Sequence, residues 1–214
     1  MSHDHAVQFT REFWDDRYQS ADRLWSGRPN PQLVAQAAEL TPGEALDAGC
    51  GEGADAIWLA GRGWTVTGAD VSTVALARAA AHAAARGAEL AGRISWRQED
   101  LLTWGPEPER YDLVSAQFMH LPKELFDAMF ARLAAGVRPG GTLLVVGHHP
   151  DDLHINVGRT GPANAFPAAA EMAAALDPAR WEVVLAAPVG RAGTDLEGQP
   201  VTITDTVLRA GRRG

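Results

Sequence analysis

The chain has 214 residues, 46% of them hydrophobic and 21% charged, which suits one globular domain with a sizeable core and not a disordered chain. A net charge of −8, with clustered basic residues confined to Arg209, Arg212 and Arg213, argues against binding a nucleic-acid backbone, and the lone Cys50 excludes a disulfide framework and a cysteine-rich zinc site. No apolar run approaches the ~18 residues needed to cross a bilayer. The opening MSHDHAVQFTREFW lacks the basic and apolar regions of a secretory leader, so a cytoplasmic protein without membrane partners is expected.

In chain order, helices are predicted over 10–20 and over 31–40, the second introduced by Pro31. A short strand, 45–48, stops abruptly in glycines, and helical spacing resumes over 53–62 until Gly63. Strand 64–69 ends at Asp70, and Ser72 caps a helix running to Arg86. The Ala-rich stretch 75–91 reads as an amphipathic helix with Arg78, His82 and Arg86 on one face. Strands 93–98 and 111–116 follow, then a helix over 122–135, a turn at Arg138-Pro139-Gly140-Gly141 and a buried strand over 142–147. A helix over 167–176 precedes an antiparallel pair, 181–187 and 200–210, separated by a Gly/Asp-rich loop. Strand–helix alternation with a final hairpin predicts an α/β fold: a doubly wound, mostly parallel seven-stranded sheet with an antiparallel last strand at its edge.

Ligands of such sheets sit beyond the carboxyl ends of the strands, so the residues just after each strand carry the functional reading. After the first strand, Asp47-Ala48-Gly49-Cys50-Gly51-Glu52-Gly53 lets the backbone turn tightly and approach a ligand, while the next helix offers unpaired N–H groups. Its G-x-G-x-G spacing departs from the G-x-G-x-x-G dinucleotide fingerprint, and it lacks the Lys-Ser/Thr pair of a triphosphate site. Asp70, about twenty residues beyond the first glycine, can accept both hydroxyls of a ribose. Asp100 can accept from an exocyclic adenine amine, with Leu101 covering the ring.

Together, LDAGCGEG, VTGADVS, EDLL, YDLVSAQFMHL and RPGGTLLVVGHH resemble the class I S-adenosylmethionine-dependent methyltransferases over about residues 40–150. Ala48 and Ala69 stand where such families often carry bulkier residues. The resemblance implies S-adenosyl-L-methionine as cofactor and S-adenosyl-L-homocysteine as product. Gly49, Gly51 and Gly53 would pass under its methionine part, and Asp47 would orient the turn. Asp70 would hold the ribose, Val71 and Ser72 would flank the adenine, and Asp100 and Leu101 would bind its edge. Gln117 and Phe118 would line the wall near the sulfonium. Acids where a phosphate binder would want none suit a cofactor bearing sulfonium and ammonium cations.

The aromatic stretch EFWDDRYQSADRLWSGRPN admits two readings. Phe13, Trp14 and Tyr18 can pack a helix on the core, or Trp14, Tyr18 and Trp25 can form a lid whose faces attract a sulfonium and exclude water. Their spacing is similar to the N-terminal segment of thiopurine and tellurite-resistance methyltransferases, which favours a small acceptor with a soft nucleophile. Arg17 and Arg28 are candidates for the cofactor carboxylate or an anionic acceptor, or for surface salt bridges.

His120, beyond the fourth strand, and His148 and His149, beyond the fifth, are the candidate catalytic bases, with bonding to backbone or a solvated loop as the alternatives. His148, His149 and His154, with Asp151 and Asp152, could also bind a metal, although no metal is assigned. Cys50 as a methyl relay is disfavoured because the turn needs a small residue there. No N/D-P-P-Y/F follows the fourth strand, which disfavours adenine- and amide-modifying chemistry. The expected organisation is one domain: a helical lid over 1–40, a cofactor core over 41–150, an acceptor loop over 148–165, and a helix and hairpin over 166–214. The expected function is methyl transfer to a small molecule, a thiol most simply or an O/N-nucleophile, by a monomer or homodimer. A nicotinamide oxidoreductase and a non-catalytic cofactor binder are the alternatives.

Overall fold

Seven strands pair into one sheet: β1 (Glu44–Ala48), β2 (Thr65–Asp70), β3 (Ile94–Gln98), β4 (Tyr111–Gln117), β5 (Val137–His148), β6 (Trp181–Thr194) and β7 (Pro200–Arg212). The computed structural model describes residues 9–158, 165 and 168–214. The strand order is β3-β2-β1-β4-β5-β7-β6, with β1 to β5 parallel and β7 antiparallel to both β5 and β6. The order reverses between β1 and β4, which opens a crevice beyond their carboxyl ends.

The antiparallel strand was expected at the sheet edge, but β7 lies inside it and β6 takes the edge. Composition explains the choice. Val207, Leu208 and Ala210 are fully buried with one strand on either side, whereas β6 leaves Val183 and Val184 exposed. The hairpin also runs further than expected, because residues 188–194 continue β6 to Thr194 instead of forming a loop. Pro188 is compatible with this on an edge strand, where one row of backbone groups has no partner to lose. Arg138-Pro139-Gly140-Gly141 does bend, as an irregularity within β5: Tyr111 pairs with Val137 and Leu113 with Thr142, and Gly140 has φ +81°.

The helices are α1 (Arg11–Gln19), α2 (Pro31–Ala37), α3 (Ala54–Gly61), α4 (Thr73–Ala85), α5 (Ala88–Ala91), α6 (Lys123–Ala135) and α7 (Ala169–Ala174), with a 3-10 turn over Pro150–His154. The Ala-rich stretch is two helices and not one, since Gly87 at φ +116° interrupts it. Successive strand residues point to opposite faces. Leu113, Leu144 and Val207 meet Leu33 of α2 and Leu59 of α3 on one face, while Val114, Val145 and Leu208 meet Phe126, Met129 and Leu133 of α6 on the other. Replacing one of these fully buried leucines by alanine costs about 2–5 kcal/mol.

Candidate functional site at the carboxyl edge of the sheet

The segment after β1 is held in one shape by main-chain bonds. Gly49 and Cys50 donate their N–H groups to Ala69 O at 2.8 and 3.1 Å, and Gly53 donates to Cys50 O at 2.9 Å. Gly49, Gly51 and Gly53 have φ of +75°, +51° and +83°, a region that side chains disfavour. At Gly51 a Cβ would stand 2.8 Å from Tyr18 Oη, so the site also requires the missing side chain for space.

Three acids underlie the turn. Asp70 Oδ2 accepts Gly51 N–H at 2.8 Å and Oδ1 accepts Ser72 N–H at 2.9 Å. These bonds leave carboxylate lone-pair capacity for a sugar hydroxyl. Burial pushes the Asp70 carboxyl up, and the N–H groups of Ser72, Gly51 and Val71 only partly reverse this. Asp47 is driven well above the usual carboxylate range, first by burial, then by the charge of Asp55. Its Oδ2 is buried without a hydrogen-bond partner among the described residues. Asp55, which accepts Asn30 N–H at 2.7 Å, is pushed up by burial to about 6. None of the three forms an ion pair with Lys or Arg among the described residues. An orphaned carboxylate oxygen, spare carboxylate lone pairs and a side-chain-free cradle fit a ligand with an ammonium group and a ribose. Burial of Cys50, reinforced by the charges of Asp70 and Asp47, pushes its thiol up and keeps it protonated, which suits a spacer and not a nucleophile.

The N-terminal segment lies over this turn. Asp15 of α1 accepts from Ser72 Oγ at 2.6 Å, Thr73 Oγ1 at 3.1 Å and Val74 N–H at 3.2 Å, at the start of α4. Burial alone would raise the Asp15 carboxyl, but these donors outweigh it and the net direction is down. Glu52 Oε2 accepts the N–H groups of Leu24 and Trp25, both at 3.2 Å, while its Oε1 meets Arg78 at 3.1 Å. Trp25 Nε1 donates to Tyr18 Oη at 3.0 Å, and Trp14 lies 6.1 Å from the Tyr18 ring. Tyr18 is buried, with its hydroxyl raised by that burial and by Asp70, whereas Trp25 is 49% exposed. Arg17 lies over Trp14, and Arg28 is exposed.

The other predicted residues occupy varied places. Ser72 is buried and caps α4, with Val71 half-buried beside it. Asp100 is exposed and accepts Leu102 N–H at 2.9 Å, while Leu101 is buried in the core. Gln117 Oε1 accepts from Asn30 Nδ2, and its Nε2 donates to Ser115 Oγ, both at 2.7 Å. Phe118, at φ +56°, has its ring 4.4 Å from that of His148, and His120 stacks on His148 at 4.5 Å. His148 donates its N–H to His120 Nε2 at 3.3 Å, which places the proton of a neutral His120 on Nδ1. His149 caps the 3-10 turn and accepts Asp151 N–H at 3.3 Å, while His154 lies exposed at its far end. Among the described residues no three His, Cys, Asp or Glu side chains converge as a metal-ligand set. The predicted acceptor loop falls partly on 159–164 and the predicted helix 167–176 begins on 167, which lie outside the described residues.

Asp15, Asn30, Glu52 and Asp55 were not singled out from the sequence. Glu52 carried a readable signal, a charged side chain between two glycines. The others act on partners 25 or more residues away, which no local pattern announces.

Residues 45–141 match the family described as "Methyltransferase domain". The chain is 30% identical over 126 residues to a 2-heptyl-1-hydroxyquinolin-4(1H)-one methyltransferase of Mycobacteroides abscessus, covering 57% of this chain and 54% of that one. It is 31% identical over 171 residues to a trans-aconitate 2-methyltransferase of Sinorhizobium medicae, covering 77% and 58%. A probable thiol methyltransferase 2 of Arabidopsis thaliana matches at 29% over 130 residues, covering 59% and 51%. The chain thus spans little more than half the length of these relatives. A solved structure described as "Conversion of a Disulfide Bond into a Thioacetal Group during Echinomycin Biosynthesis" superposes with a TM-score of 0.73 at 23% identity, over 95% of this chain and 91% of that one. Sheet order and glycine turn are those of the Rossmann-like class I methyltransferase fold, and residues 45–141 match a methyltransferase domain.

Proposed function

We propose that this chain transfers the methyl group of S-adenosylmethionine to a small-molecule nucleophile, with a thiol or similar soft atom first among acceptors. The observation that carries the reading is the set of buried acids, Asp47, Asp55 and Asp70, unpaired with Lys or Arg under a turn of left-handed glycines. Buried carboxylates are costly unless a cation or donors meet them, and the ammonium and ribose of this cofactor supply both.

The bound cofactor supplies an electrophilic methyl on a sulfonium. Asp70 would hold the sugar, Asp47 and Asp55 would face the ammonium, and the glycines would admit the methionine chain. The lid residues Tyr18 and Trp25 exclude water, while Phe118, His120 and His148 wall the acceptor side. A thiol acceptor would release its proton to solvent or to a histidine as it takes the methyl group. A thiol ionises near pH ~8.5, so little help from a base is required. His120 Nε2 already accepts a backbone N–H, in keeping with an acceptor that needs no strong base. The relative named as a thiol methyltransferase and the neighbour described by its thioacetal chemistry support sulfur. A hydroxyl acceptor, with His148 taking the proton, is the second reading, supported by the relative named for a hydroxyquinolone.

Residues 9–40 serve as the lid in this reading and the chain works as one domain. No helix among the described residues is long and apolar enough to cross a membrane. The test is a panel of thiols, phenols and amines incubated with isotopically labelled cofactor and read by mass spectrometry. Gain of one labelled methyl by thiols is expected, and turnover of none of them would contradict the reading.

A further inference from the structure

β6 and β7 continue beyond the point where β5 ends. The last β5–β7 pair is His148 with Asp205, yet β6 and β7 go on pairing to Thr194 with Pro200, so the ribbon overhangs the carboxyl edge of the sheet. The segment after β5 secures it: Asp152 Oδ1 accepts Thr204 N–H at 2.9 Å, His149 N–H donates to Thr204 O at 3.1 Å, and Leu196 N–H donates to Asn156 O at 2.8 Å.

Asp205 is completely buried on this overhang. Its Oδ2 accepts Arg191 Nε at 2.7 Å and Gln32 Nε2 at 3.3 Å, while Oδ1 is buried with no hydrogen-bond partner among the described residues. Directly opposed strand residues share a face with Cβ atoms about 5 Å apart, which sets Asp205 beside His148 and the Phe118–His148–His120 stack. Arg191 is gripped only through Nε, and no other described residue bonds its two Nη groups, although its side chain is 23% exposed. A fully desolvated carboxylate with one oxygen unmet is a poor way to stabilise a ribbon. It is a good way to hold a guanidinium with its outer edge available.

The same atoms connect to the cofactor side. Gln32 N–H donates to Asn30 Oδ1 at 2.9 Å, and Asn30 meets both Asp55 and Gln117. One hydrogen-bonded chain therefore runs from Asp55, through the start of α2, to Arg191.

We propose that Arg191, positioned by Asp205 and Gln32, receives a carboxylate of the methyl acceptor, whose flat body lies along Phe118 and His148. The inference rests on the methyltransferase reading for the word acceptor, but a carboxylate site here stands or falls separately. Arg191 presents two N–H donors in a plane that matches a carboxylate, and the ring wall matches a flat neighbour.

The test is calorimetry on the full chain, with and without S-adenosylhomocysteine, titrating benzoate against its neutral isostere benzamide. Benzoate is expected to bind at least about tenfold more tightly, and this preference is expected to vanish in Arg191→Gln. Because that variant strands a buried carboxylate and can unfold, the pair Arg191→Gln with Asp205→Asn removes both charges together and is expected to show the same loss. Equal binding of the two probes by the native chain, binding of neither, or a preference that survives the paired substitution would each overturn the proposal. Failure of the methyltransferase reading shows elsewhere, as S-adenosylhomocysteine giving no heat while benzoate still binds.

Discussion

The two sides of the crevice are built in different ways. On the proposed cofactor side, a continuous stretch from Asp47 to Gly53 provides the turn, and Asp70 closes it through one bond to Gly51 N–H. On the proposed acceptor side, His120 follows β4 and stacks on His148 of β5, while Arg191 of β6 and Asp205 of β7 are brought there by sheet register. The first is a local device that any chain with this spacing would form. The second depends on where the last two strands insert, so it can vary without disturbing the first. The difference fits the varied acceptors named for the relatives.

The comparison is broken most severely at Asp70. Asp70→Ala removes the acceptor for Gly51 and Ser72 N–H groups and the proposed ribose ligand together. Losing two charge-assisted bonds at about 1.5–3 kcal/mol each predicts at least ~100-fold weaker binding of S-adenosylhomocysteine by calorimetry. Circular dichroism would verify the fold. His148→Gln is expected to leave that affinity within about twofold while changing turnover, because it belongs to the other side.

Next in size is Gly51→Ala, which forces a side chain into φ +51° and against Tyr18 Oη. Strain of about 1–3 kcal/mol predicts a lower melting temperature and weaker cofactor binding, measured by thermal denaturation with and without S-adenosylhomocysteine.

A third test uses pH. Asp55 titrates at about 6 in the folded chain against 3.8 for the free group, so folding favours its protonated form. Its contribution to stability is full below about 4 and is lost as pH rises through about 6. An ammonium ligand favours the ionised form, so cofactor affinity should instead rise between pH 5 and 7, with protons released on binding. Calorimetry in buffers of different ionisation enthalpy measures that release, and Asp55→Asn is expected to reduce it. An affinity that falls over the same range would remove the ammonium from this position.

The smallest effect expected is at the proposed lid. Tyr18→Phe deletes the acceptor for Trp25 Nε1, worth about 1 kcal/mol, or roughly fivefold in cofactor dissociation rate by stopped-flow fluorescence.

The same contrast explains what the sequence made legible. Asp47, the glycines and Asp70 were readable because βα turns put chemistry within a few residues of a strand end. Ser72 was readable as a cap for the same reason. The placement of β7 was not, since alternation identifies a strand but not its neighbours. Arg191 fell in a stretch whose glycines and proline resembled a loop, and only pairing with Thr202 to Asp205 reveals it as strand. Asn30 caps the helix that Pro31 introduces, but its bonds to Asp55 and Gln117 depend on tertiary approach.

The central claim is that the glycine turn and its acids hold the nucleoside and ammonium of the cofactor. A crystal structure grown with S-adenosylhomocysteine tests it most directly. The account predicts both ribose hydroxyls within hydrogen-bond distance of Asp70 and the ammonium on the side of Asp47 and Asp55. A ribose bound elsewhere, with Asp70 bonded only to Gly51 and Ser72, would contradict it.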